Sequence, residues 1–458
     1  MTVPIAKERV LPTLNSDGTR NRIRPRLYDG RLLRARRWVA WALIVMFVAL
    51  PFVRVGGKPA LLLDVLGRRF VVLGRTFLPT DGVLLMLLLL AVFLSVVLVT
   101  ALVGRAWCGW ACPQTVYMEF LFRPIERLFE GPREAQLRLD RQGGGLRRAA
   151  KNVVYALISC LLANVFLAYF VGTDALRRWV LEAPSAHPGG FAVVAVTAAL
   201  IFFDFAYFRE QMCTVACPYA RLQSVLLDPK SLLIGYDVRR GEPRSKGKAK
   251  QPGFGDCIDC QACVVACPTG IDIRQGLQLE CVACGQCADA CDSIMARIHK
   301  PAGLIRYSSL AELERGEKRR WLRPRVVAYA LVLAGLLGAL VVMGTRRPSA
   351  EITLLRGLGA PFAETPDGVV NQLRLKVENR SDQRRSFAVQ LVDFPQAAVV
   401  APELPLSVEP SARAEVSFFV IAPRALLRGS RRVQLSVSDG QVRELVGYTL
   451  LGPQGDQP

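Results

Sequence analysis

Five apolar blocks, each close to the length of a bilayer crossing, alternate with stretches crowded with lysine and arginine. A hydrocarbon core of about 30 Å is crossed by about 20 residues that satisfy their own backbone hydrogen bonds, so each block reads as a helix. The blocks run from about Trp38 to Val53, Gly82 to Gly104, Asn152 to Gly172, Gly190 to Tyr207 and Val326 to Met343. Residues 60–78 are amphipathic, and Arg68, Arg69 and Arg75 argue against a sixth crossing. This segregation explains how 52% hydrophobic content coexists with a net charge of +21. It describes a multi-pass protein in membrane lipid. Because the basic residues flank the apolar blocks, the charge is not a nucleic-acid footprint.

The bias of that charge sets an expected orientation. Lys and Arg number 10 in residues 1–37, 9 in 105–151 and 19 in 209–325, against 5 in 54–81 and 2 in 173–189. The N-terminus and the stretch before the fifth block are therefore expected in the cytoplasm, and the C-terminus outside. A long basic arm precedes the first block and no small-residue cleavage site follows it, which argues against a cleaved signal peptide. The domain reading is a basic, poorly ordered arm over 1–37, a four-span membrane domain over 38–238 and a linker over 239–255. An iron–sulfur module over 256–300 follows, then a basic connector over 301–325, a fifth span over 326–343 and an outer domain over 345–458. Gly143, Gly144 and Gly145 mark a flexible point in the first inner loop.

Cys257, Cys260, Cys263 and Cys267 follow the spacing C-x2-C-x2-C-x3-C-P, and Cys281, Cys284, Cys287 and Cys291 repeat it without the proline. This is the ligand pattern of a two-cluster ferredoxin, in which the fourth cysteine of each run serves the other cluster. One [4Fe–4S] cluster is therefore assigned to Cys257, Cys260, Cys263 and Cys291. The second is assigned to Cys281, Cys284, Cys287 and Cys267. Zinc modules bring two C-x2-C pairs together across a longer spacer and do not show this triple spacing. A module of this length has too little apolar content to hold itself together without the clusters.

Two further motifs, Trp107-Cys-Gly-Trp-Ala-Cys-Pro113 and Cys213-Thr-Val-Ala-Cys-Pro218, follow the second and fourth blocks. Both are C-x3-C-P. On a helix this spacing puts the two sulfurs on one side. The proline suits the first turn of a following helix, whose dipole favours thiolate. Gln114–Phe129 and Tyr219–Leu227 read as those helices, lying at the membrane interface. Packing of the second and fourth spans gathers Cys108, Cys112, Cys213 and Cys217 beside the ferredoxin module. Such a soft quartet suits Cu(I), another metal centre or a redox dithiol; four buried cysteines without a ligand is the bland reading.

Other polar residues narrow the chemistry. His187 and His299 are the two histidines and neither lies in a span, which excludes a bis-histidine haem or an imidazole copper site within the membrane. No Gly-rich dinucleotide or Walker motif appears, so electrons are expected from another protein or a quinol. Asp204, near the inner end of the fourth span, is either functional or paired with Arg209 or another base. Cys160 reads as a core residue, Met212 as core or a soft ligand beside the second C-x3-C-P, Glu119 flanks the first, and Asn164 reads as an interhelical hydrogen bond. Beyond the fifth span, Val370–Val377, Arg413–Val420 and Arg432–Val437 alternate apolar and polar residues. They describe a cysteine-free β-sandwich of about 110 residues with no catalytic signature.

With these motifs in hand, the chain resembles the CcoG, FixG or RdxA family of cytochrome c oxidase accessory proteins. The resemblance is carried by Trp107–Phe120, Arg123-Pro-Ile-Glu-Arg127, Cys213–Ser224, Cys257–Cys263, Cys267–Ile273 and Gly276–Cys281. It implies a five-helix membrane bundle, a cytoplasmic ferredoxin-like module and a periplasmic immunoglobulin-like domain in a bacterial inner membrane. It also implies reduction of Cu(II) to Cu(I) near Cys108, Cys112, Cys213 and Cys217, alongside copper-handling and cbb3-type oxidase assembly proteins. Asp292 stands where such runs often carry proline. Two other readings remain: a conduit from quinol to a periplasmic reductase, and an assembly scaffold. The electron donor is undetermined, and a homodimer is left open.

Overall fold

The computed structural model describes residues 13, 21–77, 81–143, 145–219, 226–245, 253–317, 323–346, 348–381, 383–410, 412–440 and 443–453. Among the described residues five helices are long and apolar enough to cross a membrane: Arg31–Phe52, Gly82–Val103, Gly145–Val171, Pro188–Phe208 and Pro324–Thr345. Most start earlier than the apolar blocks, because a helix continues into its basic flanks while its backbone bonds are satisfied. Residues 54–77 form short strands rather than a crossing.

The chain divides into two compact units. In the first, the third span is the most buried. Its small residues Ser159, Ala163 and Ala168 have almost no exposed surface and let the fourth span approach. At its lower end Phe122 stacks on Phe205 with ring centroids 4.2 Å apart, and meets Tyr155 edge-on at 4.8 Å. Tyr155 also donates its hydroxyl hydrogen to the Phe122 carbonyl at 2.8 Å. Cys160, expected in the core, is exposed on this helix. Asn164 bonds back to the Cys160 carbonyl of its own helix at 2.9 Å rather than across to a neighbour.

The expected disordered arm is corrected from residue 21 onward; residues 1–12 and 14–20 lie outside the described set. Arg24 is buried among Glu126, Glu130 and Asp140. The Arg26 amide donates to the Val265 carbonyl at 3.0 Å. The carboxylate of Asp289, in the iron–sulfur module, accepts the amides of Leu32 and Leu33 at 3.1 and 2.7 Å. It thereby satisfies donors at the start of the first span. The module also reaches past 256–300. Strand Leu233–Tyr236 pairs antiparallel with Ile305–Ser308, and Ile234, Leu304 and Ile305 join Ile271, Ile273 and Met295 in its core. Asp292 accepts the Gly303 amide at 2.8 Å, and with no proline there the helix Gln286–Arg297 runs on past Cys291.

The second unit holds a β-sandwich. One sheet has the order Ala398–Val400, Arg413–Ala422, Gly368–Asn379, Ala350–Arg356, with Ala363–Thr365 pairing to Gly368–Asn379. The other runs Leu406–Val408, Arg385–Leu391, Ser430–Ser438, Arg443–Leu451. Along Gly368–Asn379 the residues Leu373, Leu375 and Val377 are fully buried, while Gln372, Arg374 and Lys376 face outward, as period-two alternation requires. Asn371 ties the sheets together, donating to the Leu451 carbonyl at 2.9 Å and accepting its amide at 2.8 Å.

Candidate functional site

The two cysteine runs fold into matched loops. Asp259 and Gln261 take φ of 48° and 56°; Ala283 and Gly285, at the same places in the second run, take 52° and 83°. Helix Ala262–Val265 carries Cys263, and helix Gln286–Arg297 carries Cys287 and Cys291. Two cavities of about 330 Å³ result. Cys257, Cys260, Cys263 and Cys291 line one; Cys267, Cys281, Cys284 and Cys287, with Cys263 at the boundary, line the other. Four sulfurs around an apolar pocket fit the donor set of an iron–sulfur cubane. Burial pushes the Cys263, Cys281 and Cys291 thiols up to about 12 and Cys284 to about 11. Ligation by such thiols releases protons.

The C-x3-C-P motifs are built differently from the expected single helix. Cys108 lies in the short helix Ala106–Trp110, while Cys112 is extended (φ −61°, ψ 127°) and caps helix Pro113–Tyr117. Cys213 sits in a wide π-type turn, Met212–Ala216, and Cys217 is again extended before Pro218. The break keeps the proline ring clear of the preceding turn's carbonyl. The four thiols still share one neighbourhood: Cys108 interacts electrostatically with Cys112 and Cys217, and Cys213 with all three others. Burial pushes Cys108 up to about 12 and raises Cys112 and Cys213. The amides of Gln114 and Thr115 pull Cys112 down, but burial outweighs them, so the expected thiolate is corrected to a thiol. Among the described residues no group of three or more His, Cys, Asp or Glu side chains is gathered closely enough to hold one metal ion.

This quartet abuts the second cavity. A side chain at Gly109 would meet the Val282 carbonyl oxygen at 2.6 Å and the Cys284 Cα at 2.8 Å, so the motif's backbone lies directly on the 281–284 loop. Trp110 Nε1 donates to the Tyr307 hydroxyl at 2.8 Å, and that hydroxyl donates to the Ala283 carbonyl at 2.5 Å. Arg105 donates to the carbonyls of Leu279 and Cys281, and Arg36 Nε to that of Gly109 at 2.8 Å. On the other side a cavity of about 320 Å³ lies between Cys213 and Pro268, Thr269 and Val282, walled by Glu119, Arg123, Arg209 and Glu210.

Sequence reasoning missed Arg36, Tyr307 and the buried ion network behind this cavity. The glycine between Cys108 and Trp110 was the one signal of close approach. The polar face of Pro113–Glu130 does not lie at the lipid interface: Glu119, Arg123, Glu126 and Glu130 are all buried. Arg209 pairs with Glu126 at 2.8 Å, while Asp204 accepts from Gln114 at 3.1 Å, so the expected Asp204–Arg209 pair is corrected. Met212 is 38% exposed and not core. His187 stacks on Trp179. The helix expected over Tyr219–Leu227 falls largely on residues outside the described set.

Comparison with known proteins matches residues 208–310 to a 4Fe–4S dicluster domain and 85–132 to a 4Fe–4S binding domain. Residues 340–453 match the IG-like fold at the C-terminus of FixG. Protein RdxA of Cereibacter sphaeroides is 36% identical over 386 residues, 80% of this chain and 81% of the relative. The nitrogen fixation protein FixG of Rhizobium meliloti is 32% identical over 88% of this chain and 87% of its own. Protein RdxB of C. sphaeroides is 32% identical over 80% and 81%. The chain belongs to the FixG/RdxA family. It is a membrane protein with 4Fe–4S domains suited to electron transfer.

Proposed function

We propose that this chain reduces Cu(II) to Cu(I) for the copper centre of a cbb3-type oxidase, drawing electrons from two [4Fe–4S] clusters. Cys257, Cys260, Cys263 and Cys291 hold one cluster and Cys267, Cys281, Cys284 and Cys287 the other. When bound, each cluster supplies one electron, enough to convert one Cu(II) to Cu(I). The supporting observation is the backbone contact of Gly109 on the 281–284 loop, which puts Cys108 and Cys112 beside one cavity. Cys108, Cys112, Cys213 and Cys217 offer the product soft sulfur ligands, which favour Cu(I) over Cu(II). The motifs and clusters face the cytoplasm and the β domain the periplasm, where it meets copper-handling and oxidase-assembly partners.

The test is anaerobic rapid mixing. Dithionite-reduced protein meets Cu(II), and cluster bleaching is followed together with Cu(I) captured by a chelator. Cu(I) should form in step with bleaching, and a Cys108→Ser/Cys217→Ser variant with full iron content should be at least tenfold slower. Equal rates would sink the copper role. A second reading is a conduit that passes cluster electrons to a partner's redox centre, and it shares the contact of Gly109 with the 281–284 loop. It predicts slow copper reduction in both proteins.

A further inference from the structure

Arg36 is the largest fully buried side chain among the described residues, with no exposed surface, although it carries a charge. Its Nε donates to the Gly109 carbonyl, and its guanidinium lies over the Phe120 ring at 5.3 Å. Both terminal nitrogens are buried with no hydrogen-bond partner among the described residues, and no carboxylate there forms an ion pair with it. A buried, unanswered guanidinium is strongly unfavourable. Something anionic has to sit beside it. It acts electrostatically on Cys284 and Tyr307 of the module; Glu119, which also acts on Cys284, is paired with Arg123. A cubane with four thiolate ligands carries net negative charge in either oxidation state.

We infer that Arg36, on the first span, is the counter-charge of the second iron–sulfur site and raises that cluster's reduction potential above the first's. The inference rests on the cluster assignment proposed above. The first site also has an arginine, Arg274, but its charge is already answered. It donates to Asp272 at 2.7 and 2.8 Å and pairs with Asp259. The arginine of the first site is therefore neutralised by paired carboxylates, while the second site has Arg36, whose terminal nitrogens have no such partner among the described residues, in addition to Arg105 on the Cys281 carbonyl. Positive charge favours the reduced, more negative cluster, so electrons settle on the site that touches the C-x3-C-P motifs. Arg36 touches no reacting group and acts as a positioning and tuning residue.

The test is a potentiometric titration of the full-length protein in detergent, with dithionite as reductant and paramagnetic resonance reading each cluster's one-electron wave. Arg36→Gln should lower one wave by at least tenfold in its equilibrium, about 59 mV for one electron. Arg36→Lys should fall between, and Arg274→Gln should act on the other wave. Should Arg36→Gln lose half its iron while Arg36→Lys keeps it all, the counter-charge role is likewise supported. Full iron with neither wave moved, or both moved equally, overturns the inference. Wild-type protein without two clusters overturns the cluster assignment itself, and iron analysis separates that failure from the other.

Discussion

Gly109 separates what a motif says from what a fold does with it. The sequence reads it as a spacer between two cysteines; in the folded chain its missing Cβ is the contact. The three nearest atoms a methyl group would meet are all backbone, from Val282 to Cys284, at 2.6 to 2.9 Å. Backbone cannot rotate aside as a side chain can, so Gly109→Ala should cost about 1–3 kcal/mol of overpacking strain. That strain falls on the 281–284 loop. The expected outcome is a variant that keeps the first cluster and loses or broadens the second, read as iron per chain and resonance line shape. Gly104 has a similar constraint at the end of the second span, where φ is 58° and the Leu232 carbonyl oxygen lies where a Cβ would need room. Cysteine spacing was legible because ligation chemistry fixes it. These glycines were not, because the surface that demands them is more than a hundred residues away in sequence.

At the scale of elements, the helix after the first C-x3-C-P shows where pattern reading stopped. Its amphipathic period was visible, and a helix with a polar face beside a membrane reads as interfacial. The structure instead turns that face inward onto Arg24 of the arm, Lys151 of the third span and Arg209 beyond the fourth. Those partners lie on three other elements, so no local window contains them. Burial alone would raise the Glu126 carboxyl, but Arg209, Arg24 and Lys151 pull it well below the usual carboxylate range. Glu126→Gln would take from Arg209 its two-oxygen partner while Arg24 and Lys151 keep Glu130, and it should cost about 3 kcal/mol, measured by thermal melting in detergent. The sign of the pH effect follows. Glu126 has a lower pKa folded than unfolded, so its contribution is complete above the unfolded value of about 4.3 and is lost as pH falls below it. The wild-type melting temperature should have little Glu126-dependent slope between pH 7 and 5 and fall beneath that range. The Gln variant should lack this part of the fall. Equal acid sensitivity in the two proteins would show that the network contributes little.

For the whole molecule, the five crossing helices and the strands of the β domain follow from periodicity, which local sequence carries in full. Which side of the membrane each part occupies rests on a different physical term, the bias of Lys and Arg toward loops that stay inside. The bias is steep: 10, 9 and 19 basic residues in the segments assigned to one side, 5 and 2 in the loops assigned to the other. It agrees with the cysteine distribution, because the β domain has none and does not depend on the redox state of its compartment. Its core is also self-contained, with Leu373, Leu375, Phe387, Phe418 and Leu435 fully or almost fully buried within one sandwich. A protease that cuts near residue 347 should therefore release an intact, folded fragment. Added to intact spheroplasts, it should free the β domain and leave all the iron in the membrane. Added to inverted vesicles, it should leave the β domain protected. The opposite pattern would reverse the orientation and put the thiol quartet on the outer side.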